Sequence, residues 1–533
     1  MKKTFSNNRI LVLVLSVYVL VNLFYLDSYP FVHSDEAWLA SLSRTMIKEV
    51  NPAATEEFFK ITERYPHALK ILFHFLQIPF LSFTFSIYSA RLLSVIAAAI
   101  SLFFIYRLII INGFSCFPAF VILLIIGADI QHIYISRFAR QEVLIYLSSV
   151  IQLYLVSAAA GKNNPRYIFY AGIVSGLSIF IHPNSFIIFC GIIPYLFLII
   201  TIGNFSRKQI FKAAGSYIAL NAVFAAAVVI ISLIMNSSFF ENYYSFGFQH
   251  GVADSFMIKI LSFPRFIYKI FYQIQGTYYL PDVRMQLLLF FLSLIMVPVI
   301  ILSVKSSWKK LLPPVFYICG ITSGIIIIGK YSPPSVFFLF MPFWLLTAVE
   351  FDIFRKLFTH KIKIYAGIKT AGYIAVFVII ASQTAVLFKE AGKWNKISYT
   401  DYGNKITEYT GSRVISGNIL ANTNTAFFFD YGKLCSYSDL ESINQTGITF
   451  SDYIKINKIE YIIWNEELDI ISKERPVWND LYGNVYNYYS EAIEFLNNKC
   501  TLEKTIKDRV YTVRIADYML KRDYEARIFR VNN

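Results

Sequence analysis

The sequence predicts a polytopic α-helical membrane protein with about 11 transmembrane helices, followed by a soluble C-terminal α/β domain. Hydrophobic residues make up 56% of the 533 residues and charged residues only 16%, whereas soluble domains contain about 45–50% and about 25%. Mean hydropathy is +0.52. The formal net charge of +15 arises in residues 1–388, which hold 30 Lys and Arg against 14 Asp and Glu, whereas residues 389–533 hold 19 against 20.

Eleven apolar runs approach the ~17–25 residues that cross a hydrocarbon core. They lie at 10–26, 88–111, 114–128, 142–158, 168–181, 185–203, 213–235, 286–304, 312–329, 335–349 and 370–388. The first run follows a Lys-rich start, as in a signal peptide, but no small-residue cleavage site follows it. We therefore expect it to be retained as a span.

The positive-inside rule predicts the orientation of these spans. With the N-terminus in the cytoplasm, 17 of the 30 basic residues of 1–388 lie inside, and the other 13 are spread over longer outer loops. This distribution is typical of an integral protein of the inner or plasma membrane and argues against nucleic-acid binding. An odd number of spans places the C-terminal domain outside the cytoplasm.

Three long segments then lie on the outer side: 27–87, 236–285 and 389–533. In the first, Ser34 is a plausible N-cap, and apolar residues recur at helical spacing after it. Asp35 and Glu36 would occupy the first turn of an interfacial amphipathic helix, where the helix dipole stabilises anions.

The last segment has the pattern of an α/β domain. Predicted helices lie at 405–409, 450–456 and 490–499, and predicted strands at 413–419, 426–429 and 459–464. Cys435 and Cys500 share this domain and could form a disulfide in an oxidising compartment or remain free.

Ionisable residues collect at the outer ends of spans and in the first outer loop. They are Asp35, Glu36, His67, Asp129, His132, Arg137, Arg140, Glu142, His182 and Lys330. Paired acids beside cations suit a reaction in which a carboxylate activates a hydroxyl and a cation holds a phosphate leaving group. No metal-ligand spacing and no glycine-rich phosphate loop occur in the sequence.

Each of these residues also has a purely structural interpretation. Asp35 and Glu36 could form a solvated helix start, and Arg137 and Arg140 could anchor phospholipid headgroups. His182 precedes Pro183 and could be a turn histidine, whereas Lys330 and Tyr331 could be a snorkelling pair at the membrane boundary. Their order along the chain favours function.

That order resembles the GT-C superfamily of membrane glycosyltransferases, specifically the family 39-like group of protein mannosyltransferases and aminoarabinose transferases. The resemblance covers roughly residues 1–350. It rests on His33-Ser34-Asp35-Glu36-Ala37-Trp38, Arg64-Tyr65-Pro66-His67-Ala68-Leu69, Tyr88-Ser89-Ala90-Arg91-Leu92-Leu93-Ser94, Ser136-Arg137-Phe138-Ala139-Arg140-Gln141-Glu142 and the run from Gly172 to Leu177 followed by His182-Pro183-Asn184.

The resemblance implies a catalytic transmembrane domain over 1–388 that transfers a hexose or pentose from a polyprenyl-phosphate donor to an acceptor, with inversion. By matching positions, Asp35 would be the general base and Glu36 would orient the acceptor or donor. Arg137 or Arg140, His182 and Lys330 would hold the lipid phosphate. The remaining implied substrate contacts are His67, Glu142, Asn184 and Tyr331.

The partners implied are the lipid-linked donor, membrane lipids and an acceptor that is a protein, a lipid or a glycan. The resemblance names no definite cofactor. A divalent metal is compatible with the family, but Arg64 and Tyr65 stand where some aminoarabinose transferases have a metal-associated acid.

Two other function classes fit a polytopic protein. A transporter or flippase of a lipid-linked sugar typically shows duplicated halves and polar groups near the midplane, and the sequence shows no such repeat. A ligase or polymerase that uses a polyprenyl-diphosphate glycan shares the membrane chemistry, but the Asp35-Glu36 position favours the monophosphate-dependent enzyme.

Overall fold

The computed structural model describes residues 2–203, 205–249, 252–329, 331–357, 362–394, 396–410 and 417–532. The helices before the C-terminal domain are α1 (Lys2–Leu23), α2 (Ser34–Glu49), α3 (Ile71–Leu81), α4 (Ile87–Ile111), α5 (Cys116–Gly127), α6 (Ile130–Ser136), α7 (Glu142–Lys162), α8 (Arg166–Ile179), α9 (Ser185–Ile202), α10 (Arg207–Met235), α11 (Phe239–Gln249), α12 (Phe256–Phe271), α13 (Arg284–Ser303), α14 (Trp308–Ile328), α15 (Pro333–Leu357) and α16 (Ile362–Trp394).

Each of the eleven apolar runs falls in a helix, which confirms the polytopic helical class. Among the described residues, seven helices are long and apolar enough to cross a membrane, and an eighth span results if α5 and α6 are taken together. These two helices are bent by 68° at their junction. Asp129 caps α6 there, since its Oδ1 accepts hydrogen bonds from the backbone N–H groups of Gln131 and His132.

Small residues allow close packing of α9 against α14. A methyl group added at Gly320 would clash with the carbonyl oxygen of Cys190, and one added at Gly324 would lie 2.8 Å from the Cα of Ile187. Helices in lipid associate through such close contacts, because the lipid chains give no hydrophobic driving force between them.

The first outer loop differs from the prediction in two respects. His33, not Ser34, is the N-cap of α2, so Ser34 is already the first helical residue. The helix is also largely buried, with Ala37 and Ala40 fully enclosed, rather than lying on the surface as an amphipathic element. It packs against α3 and beneath a 3₁₀ helix of the C-terminal domain, Thr423–Phe428.

The C-terminal domain is built on a mixed five-stranded sheet in the order β2-β1-β3-β5-β4. The strands are β1 (Asn418–Ala421), β2 (Leu434–Ser436), β3 (Ile459–Asn465), β4 (Cys500–Asp508) and β5 (Tyr524–Val531), and the helices are α17 (Tyr399–Thr410), α18 (Ser442–Thr446), α19 (Phe450–Ile456), α20 (Glu466–Glu474) and α21 (Val485–Lys499). Strand β1 pairs in parallel with β2 and β3, whereas β5 runs antiparallel to β3 and β4.

Most of the predicted elements of this domain are confirmed, but the strand at 426–429 is wrong. Its apolar residues belong to the 3₁₀ helix Thr423–Phe428, where Ala426 is fully buried and Phe428 packs on Tyr399. The run is apolar because it fills the contact with α2 and α17. Of the predicted strand 413–419, residues 413–416 lie outside the described part of the chain.

Cys435 and Cys500 are both free. They lie on β2 and β4, the two opposite edges of the sheet. Four inter-strand steps of ~4.8 Å separate those edges, well beyond the ~7 Å Cα separation that a disulfide tolerates. The fold therefore excludes this disulfide.

One buried carboxylate attaches the C-terminal domain to the first outer loop. Asp439 is fully buried and accepts hydrogen bonds from the backbone N–H groups of Lys60, Ile61 and Thr62, with 2.8 Å for the first and last. The Tyr453 hydroxyl donates to the same carboxylate at 2.8 Å. The domain is thus fixed to the loop that carries Asp35.

The second outer loop reaches the same domain. The backbone N–H of Ala516 donates to the carbonyl oxygen of Gly276 at 2.8 Å. The C-terminal domain therefore contacts both of the other segments predicted to lie outside, 27–87 and 236–285.

Candidate active site

The segment that enters α2 folds back on itself through a capping box. The Nδ1 atom of His33 accepts the backbone N–H of Asp35 at 3.0 Å, and the Glu36 carboxylate accepts the backbone N–H of His33 at 3.0 Å. These reciprocal bonds satisfy N–H groups that a helix start otherwise leaves without partners. They fix Asp35 in the first turn, at the positive end of the helix dipole.

Glu36 forms a fully enclosed ion pair with Arg91 of α4. The guanidinium Nε and Nη2 atoms lie 2.8 and 2.7 Å from the two carboxylate oxygens, and neither side chain is exposed. The backbone N–H of Ala139 also donates to Glu36, while Arg91 donates to the carbonyl oxygens of Leu26 and Pro30. Both oxygens of the Glu36 carboxylate are thus bonded within the protein, and its role in orienting the acceptor or the donor stays a prediction.

Asp35 points the other way and is one-third exposed, at 34% of its side-chain area. Its Oδ2 atom accepts hydrogen bonds from Arg140 Nη1, at 2.9 Å, and from the Tyr278 hydroxyl. Its Oδ1 atom lies 3.6 Å from Nδ1 of His33. One side of the carboxylate is thus held by the protein while the group as a whole remains accessible.

The surroundings of Asp35 set its ionisation. Burial alone would raise the pKa of Asp35, but His33, Arg140 and the Tyr278 hydroxyl together hold that pKa well below its usual range. Burial lowers the pKa of His33 to about 4, so this ring is neutral at neutral pH. At neutral pH the site therefore presents an ionised carboxylate beside a neutral imidazole.

Arg140 is shared between two carboxylates. Its Nη1 atom contacts Asp35, and its Nη2 atom lies 3.0 Å from Oε1 of Glu142, which is buried at the start of α7. The guanidinium also lies 4.9 Å from the centre of the Tyr278 ring, within the range of a cation–π contact. Arg140 thus binds two carboxylates of the protein, and its contact with the lipid phosphate stays a prediction.

Tyr278 joins the second outer loop to the site, and the sequence analysis missed it. Its ring stacks on His33 with 4.3 Å between centroids and 8° between planes, while its hydroxyl contacts Asp35. The available signal was a pair of tyrosines, Tyr278 and Tyr279, in a predicted outer segment. His33 and Arg91 were also missed as site residues, although both lie in the motifs that carry the resemblance.

This chain was compared with known proteins at three levels. No protein-family model and no curated protein sequence matches it. Among solved structures, ArnT from Cupriavidus metallidurans bound to undecaprenyl phosphate aligns over 97% of this chain and 97% of its own, with a TM-score of 0.50 and 11% identity. The apo oligosaccharyltransferase of Archaeoglobus fulgidus aligns over 88% of this chain and 71% of its own, with a TM-score of 0.50 and 12% identity.

The chain has the GT-C fold. The long alignment with ArnT includes the membrane helices and the C-terminal domain.

Several residues predicted to bind substrate form hydrogen bonds with other parts of the protein. Arg137 is buried and donates from Nε to the side-chain oxygen of Asn22 and from Nη2 to the carbonyl oxygen of Val21, both in α1. Tyr331 donates to the carbonyl oxygen of Lys259 at 2.5 Å. Lys330 lies outside the described residues.

His67 lies within the first outer loop, whereas His182 and Asn184 lie in the connection from α8 to α9. Nδ1 of His182 accepts the backbone N–H of Asn184 at 3.0 Å, in the connection from α8 to α9. His67 is exposed and precedes a 3₁₀ helix, Ala68–Lys70. The last residue of that helix, Lys70, contributes to the low pKa of Asp35 and is a cation that the sequence analysis missed.

The residues around Asp35 do not suit a divalent metal ion. Two carboxylates there, Asp35 and Glu142, are both bound by the Arg140 guanidinium. In the part of the chain that the structure describes, no group of three or more His, Cys, Asp or Glu side chains could hold a metal.

Proposed function

We propose that the protein is a glycosyltransferase that moves a sugar from a polyprenyl-phosphate donor to an acceptor at the outer face of the membrane, with inversion. The observation that carries this proposal is Asp35, an accessible carboxylate held ionised by Arg140 and Tyr278 in a GT-C fold. The ArnT structure, which aligns along both full chains, binds a polyprenyl phosphate, and this supports a donor of that class.

In the proposed reaction, Asp35 accepts a hydrogen bond from the nucleophilic group of the acceptor. The acceptor oxygen forms its bond to C1 of the sugar as the bond from C1 to the phosphate oxygen breaks on the opposite face, which inverts the configuration. The proton passes to Asp35, and polyprenyl phosphate leaves as the anion. Asp35 is a weak base, so it orients the hydroxyl first and takes the proton once bond formation has made it acidic.

The leaving phosphate needs a cation close to Asp35. Lys70 is near enough to Asp35 for its charge to act on that carboxylate, and its side chain is half-buried in the first outer loop. Lys70 is thus a further candidate for holding the phosphate, beside the Arg137, Arg140, His182 and Lys330 that the resemblance implies.

The proposed orientation has the N-terminus in the cytoplasm and the C-terminal domain outside. Contacts among the three long outer segments support one part of it, namely that these segments share a side of the membrane, because Asp439 binds the first outer loop and Ala516 binds the second. Segments that touch in this way lie on one side of the membrane, as the predicted order of spans requires.

The test is sugar transfer by the purified full-length protein in lipid nanodiscs. Radiolabelled sugars on synthetic polyprenyl monophosphate and on polyprenyl diphosphate are offered with lipid, glycan and peptide acceptor fractions, and release of the lipid phosphate is measured. Turnover of a monophosphate donor is expected. Turnover of diphosphate donors alone would indicate a ligase or polymerase, and movement of intact donor across proteoliposomes without turnover would indicate a flippase.

The pH profile of transfer tests the pairing of Asp35 with Arg140. Ionised Asp35 is the active form, so activity is lost as pH falls through its pKa, which in the wild type lies below the usual carboxylate range. Arg140→Met removes the opposing charge and leaves burial, so the acid limb of kcat/KM should move up by ~1–3 pH units. Arg140→Lys keeps a positive charge beside Asp35, so the acid limb of its kcat/KM profile should stay close to that of the wild type. An unshifted limb in Arg140→Met would show that Asp35 is not the titrating base.

A further inference from the structure

Two adjacent tyrosines at the end of the second outer loop bind different parts of the protein. The Tyr278 hydroxyl donates a hydrogen bond to Oδ2 of Asp35 in the candidate active site. The hydroxyl of the next residue, Tyr279, donates to Oε2 of Glu390, near the C-terminal end of α16. Consecutive Cα atoms are only about 3.8 Å apart. The position of Tyr279 therefore limits where the Tyr278 ring can lie.

Glu390 is a firmly held acceptor for the Tyr279 hydroxyl. Its side chain is 1% exposed, and its other oxygen, Oε1, lies 2.6 Å from Nζ of Lys393, one turn further along α16. Lys393 is 40% exposed, so it balances the charge of the buried carboxylate while remaining in contact with solvent. Hydrogen bonds to a charged carboxylate are about twice as strong as those between neutral groups. Tyr279 is therefore strongly anchored.

The same end of α16 also supports the segment that enters α2. The Trp394 ring lies edge-on to Tyr279, with 5.1 Å between centroids, and stacks on Phe31 at 6.0 Å. Phe31 in turn contacts His33, the N-cap of α2, with 5.9 Å between centroids. Trp394 and Phe31 are both buried. One aromatic cluster therefore joins the end of α16 to the second outer loop and to the start of α2.

The second outer loop is also held just before Tyr278, by the C-terminal domain. The carbonyl oxygen of Gly276 accepts the backbone N–H of Ala516 at 2.8 Å. The loop is thus fixed two residues before Tyr278 and again at Tyr279, directly after it. Glu390 supplies the second of these two fixed points.

We propose that Glu390 is a positioning residue for the transfer reaction. By binding the Tyr279 hydroxyl, it keeps the neighbouring Tyr278 on Asp35. The inference rests on the proposed function, since it concerns the placement of the base in that reaction. Without this anchor the Tyr278 ring can move away, and Oδ2 of Asp35 keeps only the hydrogen bond from Arg140. A carboxylate that can turn from the acceptor hydroxyl slows bond formation without changing donor affinity.

Transfer kinetics of the full-length protein in nanodiscs test this role. Glu390→Leu removes the acceptor of the Tyr279 hydroxyl and should lower kcat ~10-fold, about the effect of one lost hydrogen bond, with the donor KM unchanged. Tyr279→Phe breaks the same bond without removing a buried charge, so it should have the same effect. Glu390→Gln keeps an acceptor oxygen and should restore kcat to within about threefold of the wild type.

A second measurement follows the Tyr278 ring without requiring turnover. The label 3-fluorotyrosine is placed at position 278, and its fluorine NMR signal is recorded in the full-length protein without donor. The ring stacks on His33 with 4.3 Å between centroids, so its signal should be displaced from that of the same label at Tyr244, which is 68% exposed. Glu390→Leu and Tyr279→Phe should each move the signal towards the exposed value.

Glu49→Leu is the matched control, because Glu49 also accepts a hydrogen bond from a tyrosine hydroxyl, that of Tyr431, at 2.8 Å. It should leave both kcat and the fluorine signal as in the wild type. An unmoved signal in Glu390→Leu and Tyr279→Phe, or wild-type kcat in both, would overturn the positioning role. Absence of transfer by the wild type, with the expected movement of the signal, would instead overturn the proposed function.

Discussion

Asp35→Asn is expected to lower kcat for sugar transfer by ~10²–10⁴-fold, the usual effect of removing a general base. The amide can still accept hydrogen bonds from Arg140 and Tyr278, so the site should keep its shape, but it cannot take the acceptor proton. Donor affinity should change little. The measurement is single-turnover transfer at saturating donor, with donor binding determined separately.

Asp282→Asn provides the control for this experiment. Asp282 is also an outer-loop carboxylate paired with an arginine, Arg284, at a position that contacts none of the site residues described above. Its substitution should leave kcat within about twofold of the wild type. Equal turnover by Asp35→Asn and the wild type would remove Asp35 from the role of base.

Arg91→Met should have the largest effect on stability, about 3–5 kcal/mol, because it leaves the Glu36 carboxylate buried without its counter-ion. The carbonyl oxygens of Leu26 and Pro30 lose a donor in the same substitution. The free energy of unfolding in mixed micelles, followed by tryptophan fluorescence with denaturant, measures the effect.

The double variant Glu36→Leu with Arg91→Met should recover part of this loss, since no unpaired charge remains. Arg284→Met breaks an ion pair whose arginine is 52% exposed and should cost at most about 1 kcal/mol. If Arg91→Met cost no more than Arg284→Met, the buried pair would not be what holds the start of α2.

The membrane architecture could be predicted from the sequence because each span is a local pattern. An apolar run of sufficient length becomes a helix in lipid whatever the rest of the chain does, since its backbone has no other hydrogen-bond partners. Such local patterns were not sufficient for the run at 426–429, which was predicted as a strand but belongs to the 3₁₀ helix Thr423–Phe428. Its residues are apolar because they cover α2, and that contact is not visible in the local sequence.

The site could be predicted only in part, for a similar reason. The motif around Asp35 is contiguous and was identified, but the direction of each side chain depends on distant partners. Glu36 turns inward because it pairs with Arg91, which is 55 residues further along the chain. The Tyr278 hydroxyl that contacts Asp35 is separated from it by 243 residues. Arg140 was assigned to the phosphate because its charge was visible in the sequence, whereas its pairing with Asp35 and Glu142 was not.

The attachment of the outer domain has a consequence for how sequences of this type can diverge. The Asp439 carboxylate accepts hydrogen bonds from the three backbone N–H groups at positions 60–62. In addition, the Thr62 hydroxyl donates to the carbonyl oxygen of Asp439, and the Lys60 ammonium donates to that of Gly432. Any residue except proline supplies such an N–H group. The three bonds to the Asp439 carboxylate should therefore survive any substitution at positions 60–62 except proline, whereas replacing Asp439 removes all three at once.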